Sequence, residues 1–164
     1  MTRAMDIRPA TRDDHDGIWA VLEPVIRAGE TLTSPRDSTR EAALAYWTAP
    51  GHDVFVAEDA GAIVGTYFVR ANHSGAGAHV ANAGYVTAPS ASGRGVARAM
   101  CAHSIDHARS RGFRAMQYNI VVSTNERAVR LWESMGFAIV GRLPGAFAHP
   151  QRGDVDALVM FRAL

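Results

Sequence analysis

Six consecutive residues, Ser92, Gly93, Arg94, Gly95, Val96 and Ala97, have the make-up of an anion site. They follow an apolar stretch, 83–88, that reads as a strand and stops at Pro89, and they open a helical pattern over 96–112. The first amides of a helix have no internal partner, and the helix dipole places a partial positive charge there. Gly93 and Gly95 carry no Cβ, so a phosphate can approach their backbone, and Arg94 adds a cation. The spacing is not that of a Walker A loop. Nor is it a dinucleotide fingerprint, because the residue three after Gly95 is Arg98 rather than glycine.

A second chemical feature is a set of asparagines. Asn82 falls inside the strand pattern before the loop, and Asn119 inside the next one, over 115–122. Asparagine is unfavourable within strands, so both positions need a reason. Either each is a satisfied core amide, or the two face a cleft between neighbouring strands and orient a substrate without being titrated. Asn125 is a good helix N-cap; Ala128, Leu131, Trp132 and Met135 follow at helical spacing, and Gly136 suits the helix end. No acid or histidine stands out as a base. His73 and His79 lie in or beside a turn, His149 and Asp154 in a late loop over 144–154, and all four read as solvated polar residues.

The elements that must position these residues alternate along the chain. Strands are predicted over 5–9, 54–58, 63–69, 79–87, 115–122, 138–143 and 157–162. Helices are predicted from Thr11 as cap through an apolar stripe of Ile18, Trp19, Leu22, Val25 and Ile26 interrupted by Pro24, then over 38–47, 96–112 and 125–136. The sum is an α/β (α+β) mixed sheet in one domain, 1–164, the size expected of a single core. A formal net charge of +1 gives no field for nucleic acid or an anionic membrane. No apolar run approaches the roughly 18 residues of a membrane span, and the first six residues do not read as a signal peptide. A lone cysteine, Cys101, excludes an internal disulfide, fits a cytoplasmic protein, and falls where a helix would pack it.

The stretch 92–97 resembles the acetyl-CoA pyrophosphate loop of the GCN5-related N-acetyltransferases, Gln/Arg-x-x-Gly-x-Gly/Ala. Gly95 and Ala97 take the two small places, and Ser92 stands where that family has Gln or Arg. The stretch 125–137 resembles the same family's Asn-x-x-Ala-x-x-Leu-Tyr-x-x-x-Gly-Phe, with Trp132 at the tyrosine place. The resemblance implies a sheet whose two central parallel strands splay apart to admit acetyl-CoA, with no metal. It implies that the backbone of Tyr85, Val86 and Thr87 pairs with the pantetheine, that Ser92, Gly93, Arg94, Gly95, Val96 and Ala97 hold the pyrophosphate, and that Asn125 lies beside the pantetheine. The implied reaction is direct attack of a neutral amine on the thioester, with a backbone amide near Val86 or Thr87 receiving the oxyanion. The family's tyrosine protonates the leaving thiolate; an indole is no usable acid, so Trp132 breaks that pattern.

Two narrower likenesses bear on the acceptor. The asparagines and the stretches 116–119 and 131–142 resemble the fungal acetyltransferase of azetidine-2-carboxylate and other proline analogues. The stretch 26–32 resembles the substrate-side loop of phosphinothricin-type acetyltransferases. Both imply detoxification of a small-molecule amine that carries a carboxylate. Asn82 and Asn119 would position it, and Arg27 or Arg70 would meet the carboxylate. The family also implies a homodimer. The alternatives are a protein or peptide N-acetyltransferase and a non-catalytic acyl-CoA sensor.

Overall fold

Alternating apolar side chains set the sheet, and the computed structural model describes it over residues 5–164; residues 1–4, part of the stretch read as no signal peptide, lie outside the description. The strands are β1 (Asp6–Pro9), β2 (Asp53–Asp59), β3 (Ala62–Ala71), β4 (Val80–Thr87), β5 (Ala115–Val122), β6 (Ala138–His149) and β7 (Gly153–Ala163). The helices are α1 (His15–Ala28), α2 (Arg40–Trp47), α3 (Val96–Ser110) and α4 (Glu126–Ser134). The seven strands form one sheet in the order β1-β2-β3-β4-β5-β7-β6. Every neighbouring pair is antiparallel except β4 and β5, which are parallel.

Successive strand residues face opposite sides, so each side of the sheet collects its own core. On one side Ile18, Val21, Leu22 and Ile26 of α1 and Leu44 and Trp47 of α2 cover Val56, Phe68 and Val86. On the other side Met100, Cys101, Ile105 and Ala108 of α3 and Trp132 of α4 cover Ala81, Met116, Tyr118 and Met160. Cys101 is fully buried there, as its place in the helix suggested.

Local chemistry moved several boundaries. α1 starts at His15 because Thr11 opens a short 3-10 turn instead, where the Asp14 carboxylate receives the Thr11 amide at 2.7 Å. Pro24 does not break α1; its four buried side chains hold the helix through it. Thr39 caps α2 by accepting from the Ala42 amide. The late loop expected over 144–154 is a correction: β6 runs on to His149 and β7 begins at Gly153. Irregularities of register between Ile139 and Gly141 and between Leu143 and Phe147 absorb the glycines and Pro144, which an edge strand tolerates. His149 is likewise not solvated. It is buried, and its Nδ1 accepts from the Gln151 and Arg152 amides, closing the hairpin. His73, His79 and Asp154 are exposed.

Arg8 clasps Asp14 bidentately at 2.8 Å and also holds Glu58, tying β1 to the start of α1 and to β2. The Arg8 hydrogen bonds outweigh burial and hold the Asp14 carboxyl down from 3.8 to about 2. A carboxyl lowered in the folded state contributes stability above its unfolded value and loses it as the pH falls through the folded one. Acid titration of the wild type should therefore lose stability between about pH 4 and pH 2. Asp14→Asn should flatten that part of the curve, as followed by circular dichroism.

Candidate active site

The parallel pair β4–β5 is bonded only at its beginning, Val80 to Ala115 and Ala81 to Met116. Beyond that point the strands part. Asn82 stands at the fork and bridges it, donating from Nδ2 to the Gln117 carbonyl at 3.0 Å, in the place of the next ladder bond. The β4 backbone edge past the fork has no strand partner on that side. A cavity of about 560 Å³ opens there. Ala83, Gly84, Tyr85, Val86 and Thr87 form one wall, Tyr118, Ile120, Val121 and Val122 the other, and Val25, Thr31 and Leu32 close it from the α1 side.

Tyr85 and Tyr118 line the cavity, and their hydroxyls form a hydrogen-bonded chain with Ser104. Ser104 Oγ donates its single proton to the Cys101 carbonyl at 2.7 Å. It therefore accepts from Tyr85 at 2.6 Å, and Tyr85 in turn accepts from Tyr118 at 2.9 Å. Burial pushes both phenols well above their ordinary pKa, so they stay protonated. The Tyr85 proton goes to Ser104 of α3 and the Tyr118 proton to Tyr85, so both are already engaged within the protein. Neither is an acid for a group leaving there.

The glycine loop lies at the other end of the cavity. Ser92, Gly93, Gly95, Val96 and Ala97 line it, and so does Asn125, whose Oδ1 caps α4 by accepting from the Ala128 amide. Gly95 has φ +80, a left-handed conformation that frees the first amides of α3. Arg94 does not line the cavity. It is half exposed and paired with Asp59, a residue of the β2–β3 hairpin.

Arg127, which the sequence reading passed over, does line the cavity. It lies over the loop, donating to Ser92 Oγ at 3.1 Å, with a terminal nitrogen 3.1 Å from where a Cβ on Gly93 would sit. The signal for it was electrostatic. Arg127 is the second residue of α4, where the helix dipole disfavours a cation unless something else requires one. Ser92 stands in the family's Gln/Arg place, and Arg127 brings a cation to it from α4. Arg127→Gln should raise the KM for acetyl-CoA about tenfold, the scale of one charge-assisted contact, and leave the acceptor's KM unchanged. Initial rates at varied acetyl-CoA check it.

The amides expected to face the cleft are placed beside it. Neither Asn82 nor Asn119 is among the residues that line the cavity; Asn82 sits two residues before Gly84 on the same strand face. Both belong to a polar row across the sheet. Arg70 Nε donates to Asn82 Oδ1, Gln117 Nε2 to Asn119 Oδ1, and Asn119 Nδ2 to Asn72 Oδ1. Arg27 is engaged elsewhere: it donates to the Arg36 and Ser38 carbonyls and lies over the Trp19 ring. Among the described residues, no group of His, Cys, Asp or Glu could hold a metal ion, and no helix is long and apolar enough to cross a membrane.

The fork, the glycine loop and the cavity between them can be set beside known proteins. Residues 18–137 match the family model described as Acetyltransferase (GNAT) family. The N-acetyltransferase aca1 of Schizosaccharomyces pombe is 24% identical over 96% of this chain and 70% of its own. A GCN5-related N-acetyltransferase from Kribbella flavida is 42% identical over 98% of both chains, with a TM-score of 0.93. The structure of yncA from Salmonella typhimurium, described as a putative acetyltransferase with its cofactor acetyl-CoA, shares the fold. Its TM-score is 0.87 at 24% identity, over 99% of this chain and 95% of that one. With a family match over most of its length and the splayed pair that admits a thioester, the chain belongs to the GNAT family of acetyl-CoA-dependent N-acetyltransferases.

Proposed function

We propose that the acceptor is a small-molecule amine bearing a carboxylate, an amino acid or amino-acid analogue. The observation that carries this reading is a surplus of donors at the fork. In the row Arg70, Asn82, Gln117, Asn119 and Asn72, all three asparagine oxygens already accept. What remains is mostly donors: the second amide hydrogens, the Asn72 NH2 and both terminal nitrogens of Arg70, against the one side-chain oxygen of Gln117. No carboxylate among the described residues pairs with Arg70. A half-buried guanidinium among spare amide donors fits a planar anion. The row begins two residues from Gly84 of the cavity wall, so an anion held there would leave its amine near the parted strands. Asn82 and Asn119 would position the acceptor in this way.

The amine attacks the thioester carbonyl as the free base, and the unpartnered β4 edge near Val86 and Thr87 supplies amides for the oxyanion. No carboxylate or histidine lines the cavity, so the amine loses its proton to water. The pH profile of kcat/KM should then rise with the free-base fraction of the acceptor itself. Its midpoint should move when acceptors of different amine pKa are compared; a midpoint that stays fixed would report an enzyme base instead. Cytoplasmic detoxification is the role this acceptor class suggests. A homodimer would use the β6 edge, where Ile139, Val140 and Leu143 are exposed.

Thiol release from acetyl-CoA tests the reading. The panel would hold proline analogues, phosphinothricin-like amino acids, the amides of the same compounds, polyamines and peptides. Turnover confined to carboxylate-bearing amines supports it. Preference for peptides would make the protein a peptide N-acetyltransferase, and tight acetyl-CoA binding without any turnover would make it a sensor.

A further inference from the structure

The leaving thiolate meets no phenol at the place where the family's tyrosine stands, and the Tyr85 and Tyr118 hydroxyls donate away from it. Trp132 occupies that place. Its ring packs 5.0 Å from the Tyr85 ring and 5.1 Å from the Tyr118 ring, between centroids, and it lines the cavity. The side chain is more than nine-tenths buried. Every fully buried side-chain nitrogen and oxygen among the described residues has a hydrogen-bond partner, yet the indole Nε1 has none. The N–H is therefore not fully enclosed by protein, and the residue that carries it lines the cavity. A buried indole normally finds a partner for this donor. Here the partner is missing from the protein.

We propose that the Trp132 indole N–H is the hydrogen-bond donor to the thioester sulphur and stabilises the leaving thiolate without protonating it. The proposal rests on acetyl-CoA binding in the cavity. In the step, the amine nitrogen forms a bond to the acyl carbon and the C–S bond breaks, its electron pair going to sulphur. The indole keeps its proton and donates a hydrogen bond to that sulphur. The proton of the acylated amine passes to water, and CoA departs as the thiolate. A donor that never gives up its proton needs no matched pKa, and it gains strength in a buried site.

Thiolate absorbance of bound CoA, titrated against pH, tests this without turnover. In the wild type the bound thiol should ionise more readily than free CoA, giving about a tenfold larger thiolate fraction at a fixed pH below its midpoint. Trp132→Phe keeps an aromatic ring and removes the N–H; it should abolish that gain, leave CoA affinity within severalfold, and lower kcat about tenfold with little change in the KM for acetyl-CoA. Trp132→Tyr, which restores a donor, should recover part of both. A wild-type thiol that ionises as free CoA does overturns the proposal, even if Trp132→Phe does not fold. So does a Phe variant with an unchanged gain. A protein that binds no CoA at all overturns the cavity assignment beneath it.

Discussion

Gly95→Ala is expected to raise the KM for acetyl-CoA at least tenfold, while Gly112→Ala leaves it unchanged. The two positions form a matched pair. Both are left-handed, with φ +80 and +86, and an added Cβ at either meets nothing within 4 Å. Each substitution places an L-residue in the left-handed region, at a cost of about 1–2 kcal/mol. Melting should fall by about 2–4 °C per kcal/mol in both. Only Gly95 lies in the cavity wall, at the start of α3, where the open space around its Cα faces the amides that would cradle a pyrophosphate. Melting curves and acetyl-CoA saturation on both variants separate strain from ligand. If both lose affinity, the loss is general loosening; if neither does, no phosphate is held at Gly95.

Asn82→Asp is the second large expected effect. The change is nearly isosteric, and it acts on both ends of one side chain. The Gln117 carbonyl loses the donor that bridges the fork and meets a negative oxygen instead, while Arg70 gains an internal anion. Leaving a buried acceptor unpaired costs about 1–3 kcal/mol, so some stability goes with it. The sharper outcome concerns the acceptor. A carboxylate that competes with the new one for Arg70 should lose roughly 10–100-fold in kcat/KM, the scale of one or two charge-assisted bonds. The amide derivative of the same acceptor should change little beyond the loss from loosening the fork. Parallel kinetics on acid and amide decide it; equal losses for both would mean that the row only holds the strands.

Period-two and helical patterning placed all seven strands and the four α-helices, because burial on one or both faces leaves a direct mark on residue order. The last hairpin was too short in that reading. Pro144, Gly145 and Gly153 look like loop residues, yet a register irregularity and an unpaired edge accommodate them inside β6 and at the start of β7. The glycine loop was legible as a spacing, but spacing carries no side-chain direction. Arg94 therefore looked like the phosphate's cation, although Asp59 of a distant hairpin claims it. Arg27 misled in the same way, since its partners come from the loop before α2. The asparagines drew attention by being misplaced in strands. Their donors and acceptors were beyond reach, because each is set by a partner in another element.

The parting of β4 and β5 has a consequence for how the protein melts. A row of backbone groups in the centre of the sheet is left without a strand partner, so acetyl-CoA bound along it would act as a piece of missing secondary structure. Occupancy should then slow amide hydrogen exchange along residues 83–87 more than elsewhere in the sheet, and raise the melting midpoint with ligand concentration, the added stability being about 2.7 kcal/mol at a hundred times the Kd. In a cell, the share of this chain that stays folded would follow the acetyl-CoA supply, making abundance itself a readout of metabolic state.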